Sequence, residues 1–334
     1  MGKKWQSALC LVVIALCVPG IFATARRLPV QTRPLIEKKY AGWSGVLRIW
    51  AYEGWTGGDA LAGWLNRCAA IFEKRHGGVY IETRYVDAAA LTSRNESGIR
   101  PPDMILFPPG VLKRAEGLAD IDDSAVRPAL RGLGGGYVAP VALGGYGWAL
   151  NLARLEGLPA DWGECEIAAP ADEPHRRWSE ALRRLLEITA SIEETPTEPP
   201  GVDLGLPAAA PASDAWTRFV NGELDALPVT QREIARLQRL SDQGRGPDWT
   251  VAAGAEFTDQ VLYLSIVDGG GERQALCAEF LALLLSDECQ ALLSDYAAFG
   301  VTDAPCAFAS GSPYLPLDAA LRSENAEAAP AFSG

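Results

Sequence analysis

Along the chain, hydrophobic positions fall into short continuous runs that alternate with helical stripes. Residues 46–51 (VLRIWA) form an apolar run rich in branched and aromatic side chains, which predicts a buried strand. A turn over 54–58 follows. From Asp59, the residues Leu61, Trp64, Leu65, Cys68 and Phe72 recur at helical spacing, so one face of a helix is apolar. His76-Gly77-Gly78 stops that helix, because glycine just past the last periodic residue ends a helix readily. Residues 79–86 (VYIETRYV) alternate and predict a second strand, 88–97 a short helix, and 104–107 a third strand after Pro101-Pro102-Asp103. Strand, helix, strand, helix and strand within about 65 residues predict an α/β unit with a parallel sheet.

Beyond a glycine-rich turn at 134–136, apolar residues continue through Gly144, Gly145 and Tyr146 to Asn151. Residues 178–188 are amphipathic and helical in pattern, whereas 193–213 are rich in proline and alanine without a period and read as a loop or linker. A helix opens at 216–219 and ends at Asn221-Gly222; 223–229 suit a strand, and 230–240 a helix carrying Ile234, Leu237 and Leu240. Residues 261–267 (VLYLSIV) predict another buried strand, followed by helices over 272–285 and 288–296. The tail after Leu321 is small and polar and is expected to fray.

The amino terminus has its own pattern. Lys3 and Lys4 precede an apolar run from Ala8 to Ala23, which Pro19 and Gly20 break, and Ala23-Thr24-Ala25 supplies small residues for cleavage. Residues 1–25 therefore predict a secretory signal peptide, and the run is too short for a spanning helix. A lipid anchor at Cys17 lacks its usual signal, since Leu16 stands where a small residue is expected. Composition fits an ordered body, with 48% hydrophobic and 22% charged residues. The net charge of −12 argues against nucleic acid as a partner.

Candidate chemistry is sparse. With only His76 and His175 and no GxxxxGK[ST], HExxH or GxSxG, the chain offers no base beside a nucleophile, so no enzyme, metal or cofactor is expected. Gly269-Gly270-Gly271 lacks a phosphate-binding lysine and reads as a surface turn. Seven cysteines include five beyond the leader (Cys68, Cys165, Cys277, Cys289 and Cys306), with no CxxC pair. Cys68 and Cys277 sit among helical apolar positions and read as small buried hydrophobes, while one disulfide among the five stays open for an exported chain. Aromatics at strand ends are more telling. Tyr52, Glu53 and Trp55 follow the first strand and Phe107 ends the third, and in open α/β sheets ligands bind beyond the carboxyl ends of the strands. Such rings suit sugars or other flat ligands, or they pack the seam between two lobes.

Six segments, in order, resemble the extracellular solute-binding proteins of ABC importers, in particular the carbohydrate-type group: 46–55 (VLRIWAYEGW), 69–87 (AAIFEKRHGGVYIETRYVD), 100–112 (RPPDMILFPPGVL), 137–151 (YVAPVALGGYGWALN), 216–227 (WTRFVNGELDAL) and 280–301 (FLALLLSDECQALLSDYAAFGV). The resemblance implies a two-lobed, type II periplasmic-binding-protein-like α/β fold, hinge-linked in the manner of a Venus flytrap. Lobe 1 would hold 44–142 and 257–300, lobe 2 would hold 143–256 and 301–322, and 323–334 would be a flexible tail. It further implies a monomer that takes a small-molecule ligand, such as a carbohydrate, in the interlobe cleft and delivers it to the membrane subunits of an ABC permease. Membrane association would come only through that permease or an anchor. By position, the resemblance assigns ligand contacts to Glu53, Trp55, Phe107, Gly144, Tyr146, Gln231, Arg232 and Phe299. This sequence departs from the family in three respects: Arg232 or a neighbour stands where a stacking tryptophan is usual, which leaves room for a polar or anionic ligand; the stretch between Trp178 and Trp216 is short, which implies a reduced second lobe; and the lipid-anchor signal is incomplete at Cys17. A divergent relative that serves as a sensor or scaffold through a protein partner is the alternative.

Overall fold

The computed structural model describes residues 43–55, 58–93, 100–159, 165–168, 212–304 and 307–332. Its first half begins with strand β1 (Gly45–Tyr52), helix α1 (Gly58–Arg75), strand β2 (Val79–Val86), the short helix α2 (Ala88–Thr92) and strand β3 (Met104–Phe107). Strands β4 (Ala139–Leu143) and β5 (Tyr146–Asn151) come next, then helix α3 (Ala212–Val220) and strand β6 (Ala226–Thr230). Helix α4 (Gln231–Asp242) and strands β7 (Trp249–Gly254), β8 (Phe257–Thr258) and β9 (Val261–Ile266) follow. The chain finishes with helices α5 (Gly271–Leu284), α6 (Asp287–Ala291) and α7 (Leu315–Leu321) and strand β10 (Glu327–Ala328).

Two sheets organise these elements. In the first, the order is β2-β1-β3-β9-β4; β1 runs parallel to β2 and β3, and β9 lies antiparallel between β3 and β4. Strands β1 to β4 thus share one direction and place their carboxyl ends on one edge. The second sheet is antiparallel, in the order β6-β5-β7, and a small pair joins β8 to β10.

Burial explains why the sequence pattern was readable here. Strands β3, β4 and β9 are buried along their whole length, which is why they appear as continuous apolar runs rather than alternating ones. Strand β2 lies on the edge, where Tyr80 and Tyr85 remain exposed, and so it alternates. On α1, Leu61, Trp64, Leu65, Cys68 and Phe72 are all buried, as the stripe requires.

Several elements differ from expectation. Helix α3 starts at Ala212 rather than at Trp216, and the single helix expected over 288–296 is α6 followed by a 3-10 turn, Leu292–Tyr296. Strand β7 and helix α7 carried no sequence signal. The leader, residues 178–188, most of 193–213, and Cys306 lie outside the described residues.

The carboxyl-terminal tail does not fray. Helix α7 packs on β7 and β5, where Gly254 leaves it room: a Cβ there would lie 2.7 Å from the Pro316 carbonyl oxygen and 2.8 Å from the Leu317 Cα. Arg127, buried near the first sheet, donates through Nη1 to the Leu321 carbonyl (2.8 Å) and through Nη2 to the Gly300 carbonyl (3.0 Å). It thereby caps the last carbonyl of α7, which has no intrahelical partner, and holds the loop at Gly300 beside it. Burial, followed by the neighbouring charge of Arg322, pushes the Arg127 guanidinium down to about 10, still charged at neutral pH. Beyond β10, Ala329 N–H donates to Thr258 O (2.9 Å) and the Ala329 carbonyl accepts from the Tyr263 hydroxyl (2.7 Å), while Ala331 accepts from Gly110 N–H and donates to Leu133 O. The Phe332 ring then lies 6.3 Å from that of Phe107. A composition of small residues looked like disorder; here it lets the backbone approach closely enough to hydrogen-bond.

Removing residues 323–334 should uncover Phe107 and Tyr263 and leave the tyrosine hydroxyl without its carbonyl. The loss of apolar burial and hydrogen bonds should cost roughly 2–3 kcal/mol and lower the unfolding midpoint by about 5 °C, measured by calorimetry. An unchanged midpoint would mean that the tail contributes nothing.

Candidate functional site

The candidate site begins at the edge where β1 to β4 end. Glu53 lies just past β1, with its side chain exposed and its N–H bonded to Val86 O at 3.0 Å. Trp55 is only 5% exposed and packs into the core, yet its indole N–H is buried without a hydrogen-bond partner. A buried unpaired donor is costly, on the order of 1–3 kcal/mol, so such groups need a reason. Phe107 is fully buried, with Tyr263 and Phe332 each 6.3 Å away between ring centroids. Phe107 thus packs the seat of the tail.

Four other sequence candidates, Gly144, Tyr146, Gln231 and Phe299, gather where the chain crosses between the sheets. Gly144 and Gly145 link β4 to β5, and residues 255–260 bring the chain back. Gln231, the first residue of α4 in the second unit, donates through Nε2 to Oε1 of Gln260 at the start of β9 (2.9 Å), and its own Oε1 accepts from Gly145 N–H (3.1 Å). Gly144 N–H donates to Gln260 O at 2.7 Å, and the Thr258 hydroxyl donates to Gly144 O at 2.8 Å. The Tyr146 hydroxyl donates to Asp259. Phe299 exchanges two backbone hydrogen bonds with Leu143, both 2.9 Å, and its ring contacts Phe308.

A side chain at position 144 has no space. Its Cβ would lie 2.2 Å from Gln260 Oε1, 2.4 Å from Gln231 Nε2 and 2.8 Å from Gln260 Cβ.

Arg232, the eighth candidate, is exposed on the first turn of α4. A helix start of this length offers partial positive charge to an anion, but here the chain supplies the anion itself. Thr230 caps the helix, accepting from Arg232 N–H at 3.1 Å, and the Glu233 carboxylate returns to accept from Thr230 N–H at 3.0 Å. This capping box satisfies the donors and places a carboxylate beside Arg232.

Sequence reasoning missed Thr258, Asp259 and Gln260 at the crossing, and also Gln290. The Gln290 amide donates to Val141 O (3.0 Å) and Leu284 O (2.9 Å) and accepts from Val301 N–H (2.8 Å), which ties β4 to the last helices. Isolated polar residues carry no periodic signal; their partners identify them. Gln290 did have one cue, since it stands in the S-x-E-x-Q pattern of 286–290.

With two sheets and their crossings established, the chain can be compared with known proteins. The sequence pattern described as bacterial extracellular solute-binding protein matches residues 56–297, which take in the second sheet, every strand of the first except β1, and the crossing between them. The chain belongs to that family. Among solved structures, the maltodextrin-binding protein MalE1 from L. casei is similar at 13% identity, covering 87% of this chain and 89% of that one, with a TM-score of 0.58. The GacH receptor of Streptomyces glaucescens, solved unliganded and with acarbose, gives 15%, 87%, 89% and 0.57 in the same order. Iron-bound HitA from Pseudomonas aeruginosa gives 17%, 82%, 92% and 0.53. At these identities the likeness establishes the fold, which is the two-lobed α/β arrangement of type II periplasmic binding proteins. No curated protein sequence matches the chain.

The family is one of binding proteins rather than enzymes. Among the described residues, no helix is long and apolar enough to cross a membrane. A separate groove of about 500 Å³ opens between the carboxyl-terminal half of α4, β7 and residues 311–316, with Trp249, Asp242 and Ser241 on its walls. It adjoins the end of α4 opposite the crossing.

Gly144→Ala tests how tightly the crossing is built. The added methyl must separate the Gln231 and Gln260 amides, both buried, and should cost roughly 2–4 kcal/mol. Urea unfolding measures this directly, and a cost below about 1 kcal/mol would show that the amides yield easily.

Proposed function

We propose that this chain is an exported solute-binding protein that captures a small ligand between its lobes and delivers it to the permease of an ABC importer. Lobe 1 comprises 44–142 and 257–300, lobe 2 comprises 143–256 and 301–322, and closure turns about the Gly144 and 255–260 crossings. The observation that supports this reading best is the family match over residues 56–297, together with strand ends converging on one edge. MalE1 and GacH, whose ligands are named as maltodextrin and acarbose, favour a carbohydrate.

Burial sorts the candidate contacts. Glu53 and Arg232 are the exposed polar groups and are assigned to ligand hydroxyls. Trp55 is assigned a hydrogen-bonding role, because its indole N–H lacks a partner that a ligand oxygen would supply as the lobes part and close. Phe107, Gly144, Tyr146, Gln231 and Phe299 support that surface from behind, through the packing and hydrogen bonds described above. Glu233 beside Arg232 disfavours an anionic ligand, since its carboxylate already occupies the helix start.

Thermal unfolding across mono- and oligosaccharides, amino acids, polyamines and oxyanions tests the reading. A ligand at 100 times its Kd should add about 2.7 kcal/mol and raise the midpoint by several degrees. Trp55→Phe keeps an aromatic ring but removes the indole N–H and part of the side-chain volume, and should weaken the responding ligand about tenfold. Equal affinity in that variant would remove Trp55 from the site. A panel without response from folded protein would favour the sensor or scaffold reading, with the Trp249 groove as the first surface to probe for a protein partner.

A further inference from the structure

Helix α1 packs on α5 and on the 3-10 turn Leu292–Tyr296, and side chains from it reach α6 between them. The Trp64 indole N–H on α1 donates to the backbone carbonyl of Cys289 on α6 at 2.8 Å. Ion pairs flank the contact, Arg67 with Asp295 at 2.9 Å and Arg75 with Glu288. One turn beyond Trp64 stands Cys68, so the residue that follows the carbonyl contact on this face is a thiol. Cys68 and Cys289 are both fully buried free thiols in this contact, and each lies within reach of the other's side chain. That contact and then burial hold the Cys68 thiol well above the usual range. Cys277 is just as buried, but it is raised to about 12 by desolvation, with Asp103 and Arg273 rather than a thiol as its neighbours. A stripe of apolar residues accounts for burying either cysteine alone. It does not account for two thiols from distant parts of the chain meeting across a helix interface.

We propose that Cys68 and Cys289 join as a disulfide that fastens α1 to α6. The loop it closes contains nearly all of the first sheet and the whole of the second. The oxidising setting rests on the proposed export, since extracytoplasmic compartments are where structural disulfides persist. Each thiol gives up a proton and the pair gives up two electrons as the S–S bond forms. A disulfide oxidant, such as oxidised glutathione or a protein disulfide, accepts both and leaves as two thiols, by way of a mixed disulfide. A buried, protonated thiol attacks poorly, so the exchange belongs to the stage when the two helices are still docking. Once closed, the bond is sealed from reductants by the packing around it.

The test uses the purified full chain and is independent of export. Unfolded, reduced protein is refolded in a mixture of oxidised and reduced glutathione, quenched with acid, denatured, alkylated with iodoacetamide, digested and mapped by mass. The expected product is a linked peptide pair containing Cys68 and Cys289, with Cys277 alkylated. Alkyl groups on both Cys68 and Cys289, or a link from either to another cysteine, would overturn the assignment. As a second readout, the oxidised protein should unfold about 5 °C above the Cys68→Ala/Cys289→Ala variant. Equal midpoints would overturn the fastening role, and if the variant does not fold the peptide map still decides. Export is followed separately by cell fractionation, and its failure would leave the map of the refolded protein unchanged.

Discussion

The fold turns on a crossing too narrow for any side chain. At Gly144 the backbone passes between two buried glutamines, one opening α4 and one just before β9, that are hydrogen-bonded to one another. Neither amide can be moved without leaving donors and acceptors unsatisfied away from water, which is why the constraint is rigid. The crossing sets the direction in which β5 leaves β4, and through Gln231 it sets where α4 begins. Since α4 caps itself with Thr230 and Glu233, its first turn is presented in one orientation. The edge of the first sheet and the head of that helix are therefore held in register by a few hydrogen bonds among residues that are far apart in sequence.

The tail adds a further restraint between the same units. Helix α7 rests on the second sheet, its last carbonyl is held by Arg127 from the first unit, and the strand after it joins the returning segment before reaching Phe107. Any rotation of one sheet against the other about the crossing must carry this strap along. Arg127 is well suited to such a joint, because its two bonded nitrogens reach carbonyls on different segments, Leu321 and Gly300. A lysine could not span both with the same fixed fork.

How much of this the sequence displayed depends on where each signal comes from. Strands β3, β4 and β9 were readable because strands buried on both faces must be continuous apolar runs, and α1 because its buried residues share one helical face. Strand β7 (WTVAAG) and helix α7 (LPLDAAL) were not readable, since short segments take their conformation from what they pack against. The edge of the site was found by a rule about parallel strands, and Gly144 came by position from the family resemblance. The state of the residues at that edge was not legible. Phe107 is buried by Phe332, and Cys68 meets Cys289, across more than two hundred positions, a distance over which a single sequence carries no pattern.

The place of β9 has a consequence for how the molecule comes into being. It lies between β3 and β4, so the first sheet keeps a gap at its centre until residues 261–266 have been made. Until then β3 and β4 each lack a partner on that side, and the pairings that complete them join residues more than one hundred positions apart. Pairing of that kind is slow to form. A ribosome-bound or newly released chain thus stays open for longer than one built from neighbouring pieces, and an open chain is the form that can be threaded through a narrow translocation pore.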